Sequence, residues 1–143
     1  MKQTISRLSS PGRRWLVLAS AATAAVALAS AIGILPTLRL AGQPGVEAMT
    51  AAAIAVWLAS AVGAVPAAMA SASQPQGILT AVQTGTLLRF ILTLAAAAAL
   101  VFGTSLPRTT LVLWMALDYL AALATTTSME LWLLRKKRTE ASA

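Results

Sequence analysis

The chain has 143 residues, of which 58% are hydrophobic and only 10% charged, and its net charge is +7. This length predicts a single domain. The charged content lies far below the roughly 25% of a soluble domain, and a short soluble chain could not bury so much apolar surface. We therefore predict an all-α integral membrane protein. Its predicted partner is the lipid bilayer that surrounds it.

Several classes of chemistry are excluded by composition. The chain contains no cysteine and no histidine, which removes disulfides, thiolate chemistry and the usual zinc, haem and iron–sulfur ligands. Nucleotide-binding loops, metalloprotease helices and serine-hydrolase elbows are also lacking from the sequence. We expect no cofactor, no bound metal and no enzymatic activity. The basic residues flank apolar segments without interleaved aromatic residues, which favours anionic lipid contact over nucleic-acid binding.

The first apolar run is preceded by a basic arm, residues 1–14, which is broken at Ser9-Ser10-Pro11-Gly12. The run itself predicts a first span from Trp15 to Leu35, ending near Pro36. A cleaved signal peptide is an alternative, because Arg13-Arg14 precedes the run and Ala29-Ser30-Ala31 resembles a cleavage site. The apolar run is longer than a signal peptide needs, and more apolar segments follow it, so we favour a retained span.

The remaining spans follow from the same pattern of apolar runs and breakers. A loop is predicted over Thr37–Glu47 and a second span over Ala48–Ala70, in which Pro66 should introduce a kink. Ser71–Gly77 reads as a break. A third span, Thr86–Gly103, and a fourth, Thr110–Leu134, are joined by a short turn. The transmembrane domain therefore covers residues 15–134, and residues 135–143 form a basic tail.

Basic residues predict the orientation. The N-terminal arm and the C-terminal tail contain four each, whereas the two intervening outer loops contain only Arg39 and Arg108. Cytoplasmic loops carry the excess of lysine and arginine in membrane proteins. We predict four transmembrane helices in two antiparallel hairpins, both termini cytoplasmic, in a multi-pass protein of the bacterial cytoplasmic membrane.

Small residues at four-residue spacing form a strip on each of the first two spans. Such strips let helix backbones approach closely in lipid. The sequence predicts that these two spans pack against each other through the strips, unless the spacing merely reflects an alanine-rich composition. The packing residues are Ala25, Ala29 and Gly33 on the first span, and Ala59, Gly63 and Ala67 on the second.

Three ionisable residues lie within or at the rim of the last two spans: Arg89, Asp118 and Glu130. Ionisable groups in hydrocarbon are costly and are functional candidates by default. Arg89 and Glu130 have matching depths near the cytoplasmic rim, which predicts an ion pair, although both could snorkel separately. Asp118 is deeper, and it either binds a cation or proton, pairs with another protein, or bonds a hydroxyl group inside the bundle.

The chain resembles ATP synthase protein I, a small four-span protein of F-type ATP synthase operons. The resemblance depends on size, on the late proline in Val65-Pro66-Ala67-Ala68-Met69, and on the glycine and basic residue of Gly85-Thr86-Leu87-Leu88-Arg89. It implies a membrane-embedded assembly factor whose partners are the proteolipid subunits of the synthase ring. The alternatives are a small cation transporter or channel with Asp118 on its path, and a holin-like structural homo-oligomer.

Overall fold

The structure is a computed structural model that describes residues 11–69 and 75–141, with the backbone alone described for residues 75–76, 78–79 and 130–141. The described chain is all-helical and contains no strand. It forms three helices, α1 (Pro11–Met69), α2 (Pro75–Gly103) and α3 (Arg108–Ala141). By length and composition, each of the three could cross a membrane.

Helix α1 is interrupted at one residue, Gly42, whose φ of 63° and ψ of −160° are not helical. Only glycine adopts this combination readily, because a Cβ atom would clash with the neighbouring peptide groups. The interruption divides α1 into a first limb, residues 11–41, and a second limb, residues 43–69. The direction of the chain changes at Gly42.

Two tryptophan side chains show that the limbs run antiparallel. The indole Nε1 of Trp15 donates a hydrogen bond to the carbonyl oxygen of Ala61 at 2.9 Å. The indole of Trp57 donates to Oγ1 of Thr23 at 2.7 Å. Residues far apart in sequence therefore lie side by side, and α1 is a helical hairpin with Gly42 at its tip.

This geometry corrects the predicted loop over Thr37–Glu47. Every residue of that segment except Gly42 is helical, so the first two predicted spans meet directly at Gly42 and are counted here as the two limbs of α1. Pro44 is accommodated because it lies in the first turn of the second limb, where a backbone N–H would have no helical acceptor. The helix also continues through Pro36 and Pro66 to Met69.

Helix α3 packs along the hairpin of α1 and builds the core with it. The buried core cluster combines apolar residues of both limbs with residues of α3: Val26, Ala48, Ala52, Val56, Leu111, Met115 and Ala122. Helix α2 packs mainly on α1 and touches α3 at few points. Helices α2 and α3 are joined by the short turn at residues 104–107, but they pack against each other less closely than the sequence suggests.

The surface of the bundle is strongly apolar. Leu40 is 89% exposed, Phe102 83% and Ile32 70%. Soluble monomers rarely expose such a continuous apolar surface, whereas a lipid-facing helix requires it. Burial and exposure therefore agree with the helix lengths in indicating a membrane protein.

The helix ends differ from the predicted boundaries. Helix α1 begins at Pro11, so the last residues of the predicted arm are helical, and residues 1–10 lie outside the described chain. Most of the predicted break Ser71–Gly77 also lies outside it, but the break ends early because α2 begins at Pro75. Helix α3 continues to Ala141, so that the basic tail predicted from residue 135 extends the helix.

Candidate functional site

Helices α1 and α2 approach each other closely at two glycines. A Cβ atom added to Gly63 would lie 2.9 Å from the carbonyl oxygen of Gly85 and 2.9 Å from Cβ of Arg89. A Cβ atom on Gly85 would in turn clash with the carbonyl oxygen of Gly63. The absence of side chains at both positions is what lets these two backbones touch.

This crossing corrects the packing predicted for the small-residue strips. The sequence predicted that Gly63 would face the first limb. In the structure it lies against α2. Gly33 lies against the indole ring of Trp114 on α3. The remaining strip residues are buried or half-buried: Ala25, Ala29, Ala59 and Ala67. At both glycines the nearest neighbour of an added Cβ atom therefore belongs to a helix other than the predicted one.

One helical turn after Gly85, the same face of α2 presents Arg89. This side chain is 4% exposed, and its Nη1 donates a hydrogen bond of 2.6 Å to Oγ1 of Thr126 on α3. The Thr126 hydroxyl donates in turn to the carbonyl oxygen of Ala122 at 2.7 Å. A guanidinium keeps its charge inside a protein, so this relay to the backbone partly compensates its loss of water.

Asp118 lies two turns from Thr126 on the same helix and is fully buried. Neither of its carboxylate oxygens has a hydrogen-bond partner within the described residues. The same holds for the hydroxyl groups of Ser30, Ser60 and Thr93. A buried carboxylate without a donor is a costly arrangement that requires neutralisation.

The structure thus separates two of the three ionisable residues that the sequence singled out, Arg89 and Asp118. Arg89 bonds Thr126 and not Asp118, whose oxygens have no partner in the described part. The side chain of Glu130 lies outside the described structure, so its pairing with Arg89 stays a prediction. The backbone of Glu130 is helical and lies one turn beyond Thr126, on the side away from Asp118.

Sequence reasoning missed the polar contacts made by tryptophan and threonine. The indole of Trp114 donates to Oγ1 of the buried Thr37 at 3.0 Å, which fastens α3 to the first limb. Together with the Trp15 and Trp57 bonds, it ties three helical segments to one another. The available signal was the presence of tryptophans inside apolar runs, because a buried indole N–H needs an acceptor.

An open groove separates the second limb of α1 from α2 on the outer surface of the bundle. Its volume is about 590 Å³, and its walls consist of alanine and aliphatic side chains. The lining residues are Ala51, Ile54, Ala55, Leu58, Ala59, Val62, Leu92, Ala96, Ala99 and Leu100. Small residues along such walls permit close approach of another helix.

Among the described residues, no group of three or more histidine, cysteine, aspartate or glutamate side chains could hold a metal ion. Two ionisable side chains are buried in the described bundle, Arg89 in contact with Thr126, and Asp118. Comparisons with protein-family models, with curated proteins and with solved structures find no match to this chain.

Proposed function

We propose that this chain is a four-span protein of the bacterial cytoplasmic membrane that docks a transmembrane helix of a partner protein. The four spans are the two limbs of α1, α2 and α3. The partner that we propose, following the resemblance to ATP synthase protein I, is the proteolipid subunit of an F-type ATP synthase. The role is assistance in assembling the proteolipid ring, without enzymatic activity.

The topology is supported by the antiparallel contacts of α1. Each limb exceeds the about 20 residues that a membrane span needs. The hairpin tip at Gly42 and the turn at residues 104–107 lie at one end of the bundle, with Arg39 and Arg108 exposed beside them. Arg13, Arg14 and the C-terminal end of α3 lie at the other. The larger basic charge at that end favours cytoplasmic termini.

Reporter fusions test this topology. A cytoplasmic reporter fused after Ala143 should be active, and a periplasmic reporter inserted beside Gly42 should be active as well. A C-terminus on the periplasmic side would contradict the proposed orientation. A cytoplasmic Gly42 would contradict a membrane crossing by each limb.

The single observation that carries the docking role is the groove between the second limb and α2. Its walls contain small side chains at helical spacing, including Ala55, Ala59, Ala96 and Ala99. In lipid, helices associate through close van der Waals packing, which small residues favour. A transmembrane helix of a proteolipid subunit is an occupant of suitable shape.

Site-specific crosslinking tests the docking role directly. The chain has no cysteine, so a single introduced cysteine carries a photoreactive maleimide at a unique position. We expect Ala99→Cys, at the groove, to form adducts with the proteolipid subunit in membranes that contain the synthase. The matched control is Leu28→Cys, an exposed position on the first limb away from the groove.

The outcomes separate the proposed role from its alternatives. Equal adduct yields at Ala99 and Leu28, or adducts with lipid only, would count against a docked helix. Adducts between two copies of the chain would favour the structural homo-oligomer. Ion flux through vesicles containing the purified protein would favour the transporter or channel. Reduced ring assembly in cells lacking the chain would agree with the proposed role.

A further inference from the structure

The buried carboxyl group of Asp118 needs a compensating positive charge or a proton. Its side chain is 0% exposed and lies on the face of α3 that also presents Met115 and Ala122 to the core. Both oxygens lack a hydrogen-bond donor within the described chain. An ionised carboxylate in such surroundings loses its water without replacement, so the group takes its neutral form or binds a cation.

A second unsatisfied group lies at a similar depth on the neighbouring helix. Arg89 contacts Thr126, and the ring of Phe90 packs edge-on against that of Tyr119, with centroids 6.1 Å apart. These contacts set the antiparallel register of α2 and α3. Counting about 1.5 Å per residue from them, Thr93 and Asp118 fall within roughly one helical turn of each other in depth.

The Thr93 hydroxyl is unusual among the threonines of the bundle. Helical threonines commonly bond the carbonyl oxygen four residues earlier, and Thr23, Thr50 and Thr125 do so here. Thr93 is 8% exposed, yet its Oγ1 makes no such bond and has no other partner in the described structure. Its oxygen is therefore unsatisfied, as are those of Asp118, and the two groups make no hydrogen bond with each other in the described structure.

No charge in the described core competes with a proton on Asp118. The buried residues of α1 include no ionisable side chain. On α2 the buried ionisable group is Arg89, whose guanidinium donates a hydrogen bond to Thr126. Thr126 lies about 12 Å along α3 from Asp118 by helical rise. On α3 the neighbour is Tyr119, half-buried against Phe90.

We propose that Asp118 is a proton-binding site in the interior of the bundle, with its carboxyl group protonated and with the Thr93 hydroxyl as a second unsatisfied polar group at a similar depth. A proton fits better than a metal cation, because the site offers one carboxyl group and no cluster of further acidic ligands among the described residues. This site does not depend on the docking role, since it lies inside the bundle and away from the groove.

Labelling with dicyclohexylcarbodiimide tests the proposal on the full-length protein in lipid vesicles. This apolar reagent takes the proton of a neutral carboxyl group onto its nitrogen, while the carboxyl oxygen bonds its central carbon. The product rearranges to a stable acylurea that adds the reagent's whole mass. The chain has only four acidic side chains, so mass spectrometry of peptides assigns the labelled one.

We expect labelling at Asp118 that disappears in Asp118→Asn and persists in the matched control Glu47→Gln, whose side chain is exposed. Asp118→Asn should fold as the wild type does, because it replaces one neutral group by another of the same shape. Suppression of labelling by Na⁺ at constant pH would overturn the assignment in favour of a metal cation. Loss of folded protein in Asp118→Asn would overturn it in favour of a structural carboxylate.

Infrared difference spectra provide a readout that needs no reagent access. The spectrum of the wild type minus that of Asp118→Asn should contain the carbonyl band of a protonated carboxylic acid. A carboxylate band in place of the acid band would overturn the proposal, whatever the labelling result.

Discussion

The two sides of the bundle are built from similar residues but are held together differently. Helix α3 lies along the α1 hairpin over a continuous apolar core, and Trp114 adds a hydrogen bond to Thr37. Helix α2 meets α1 at the Gly63–Gly85 crossing and meets α3 through Arg89 and the edge-on pair of Phe90 and Tyr119. Beyond the crossing, the groove opens between α1 and α2.

This difference indicates which helix of the bundle is held less firmly. In lipid there is no hydrophobic driving force between helices, so stability follows the extent of close packing and the hydrogen bonds between helices. The α1–α3 side shares the fully buried core cluster, whereas α2 adds partly buried residues to that core and meets α1 at the glycine crossing. The groove and the polar contact of Arg89 both lie on this less extensively packed side, which is where we place the docking role.

The largest expected effect is at the glycine crossing on the α2 side. Gly63→Leu places a side chain where even a single carbon would touch the Gly85 carbonyl and Arg89. Overpacking of this kind costs about 3 kcal/mol, and more where the backbone cannot move. We expect a sharp loss of folded protein in detergent, measured by gel filtration after heating. Gly103→Leu is the control, since nothing lies within 4 Å of that position, and it should behave as the wild type.

The next effect concerns the fold-back that supports the α1–α3 side. Gly42→Ala forces a Cβ atom into a backbone conformation with φ of 63°, which costs about 2 kcal/mol. We expect a lower unfolding midpoint in denaturant titrations followed by circular dichroism. Gly12→Ala is the matched control, because its position has open space and no positive φ. Equal stability of the two variants would show that the hairpin tip relaxes without cost.

The sequence predicted the membrane class and the apolar helices, since length and hydropathy alone determine them. It could not predict the single-residue turn at Gly42, because the prolines and glycines around it are typical of a longer loop. It identified Gly63 as a packing residue but not its partner, which depends on how the helices are arranged in space. It also singled out Arg89 and Asp118 as ionisable residues within or at the rim of the apolar runs, whereas the Thr126 acceptor depends on the register between α2 and α3.

A smaller effect is expected from the polar contact between α2 and α3. Thr126→Val keeps the shape of the side chain but removes the acceptor of the Arg89 hydrogen bond. Interhelical hydrogen bonds in membranes contribute about 1 kcal/mol, and we expect destabilisation of that size in a titration with denaturing detergent. Thr125→Val is the control, because the Thr125 hydroxyl bonds only a carbonyl oxygen of its own helix in the described structure. A control variant as unstable as Thr126→Val would contradict an interhelical role.

The smallest expected effect is the coupling between Arg89 and Glu130, which would extend the α2–α3 contact to the cytoplasmic rim. The backbone of Glu130 lies one turn beyond Thr126 on α3, and Arg89 reaches Thr126 from α2. The arginine is therefore at a depth from which a carboxylate at the rim is accessible. Removing one partner of a partly buried pair leaves the other without its compensating charge, whereas removing both does not.

Arg89→Leu and Glu130→Leu should each lower stability, and the double variant should recover part of the loss. The double-mutant cycle cancels the contact of Arg89 with Thr126, because that contact is lost in both variants that lack the arginine. We expect a coupling of up to about 1 kcal/mol, since water at the interface screens the pair. Strictly additive effects would mean that the two side chains reach the interface independently. The α2–α3 contact would then end at Thr126, and α2 would depend on the glycine crossing even more than the described contacts indicate.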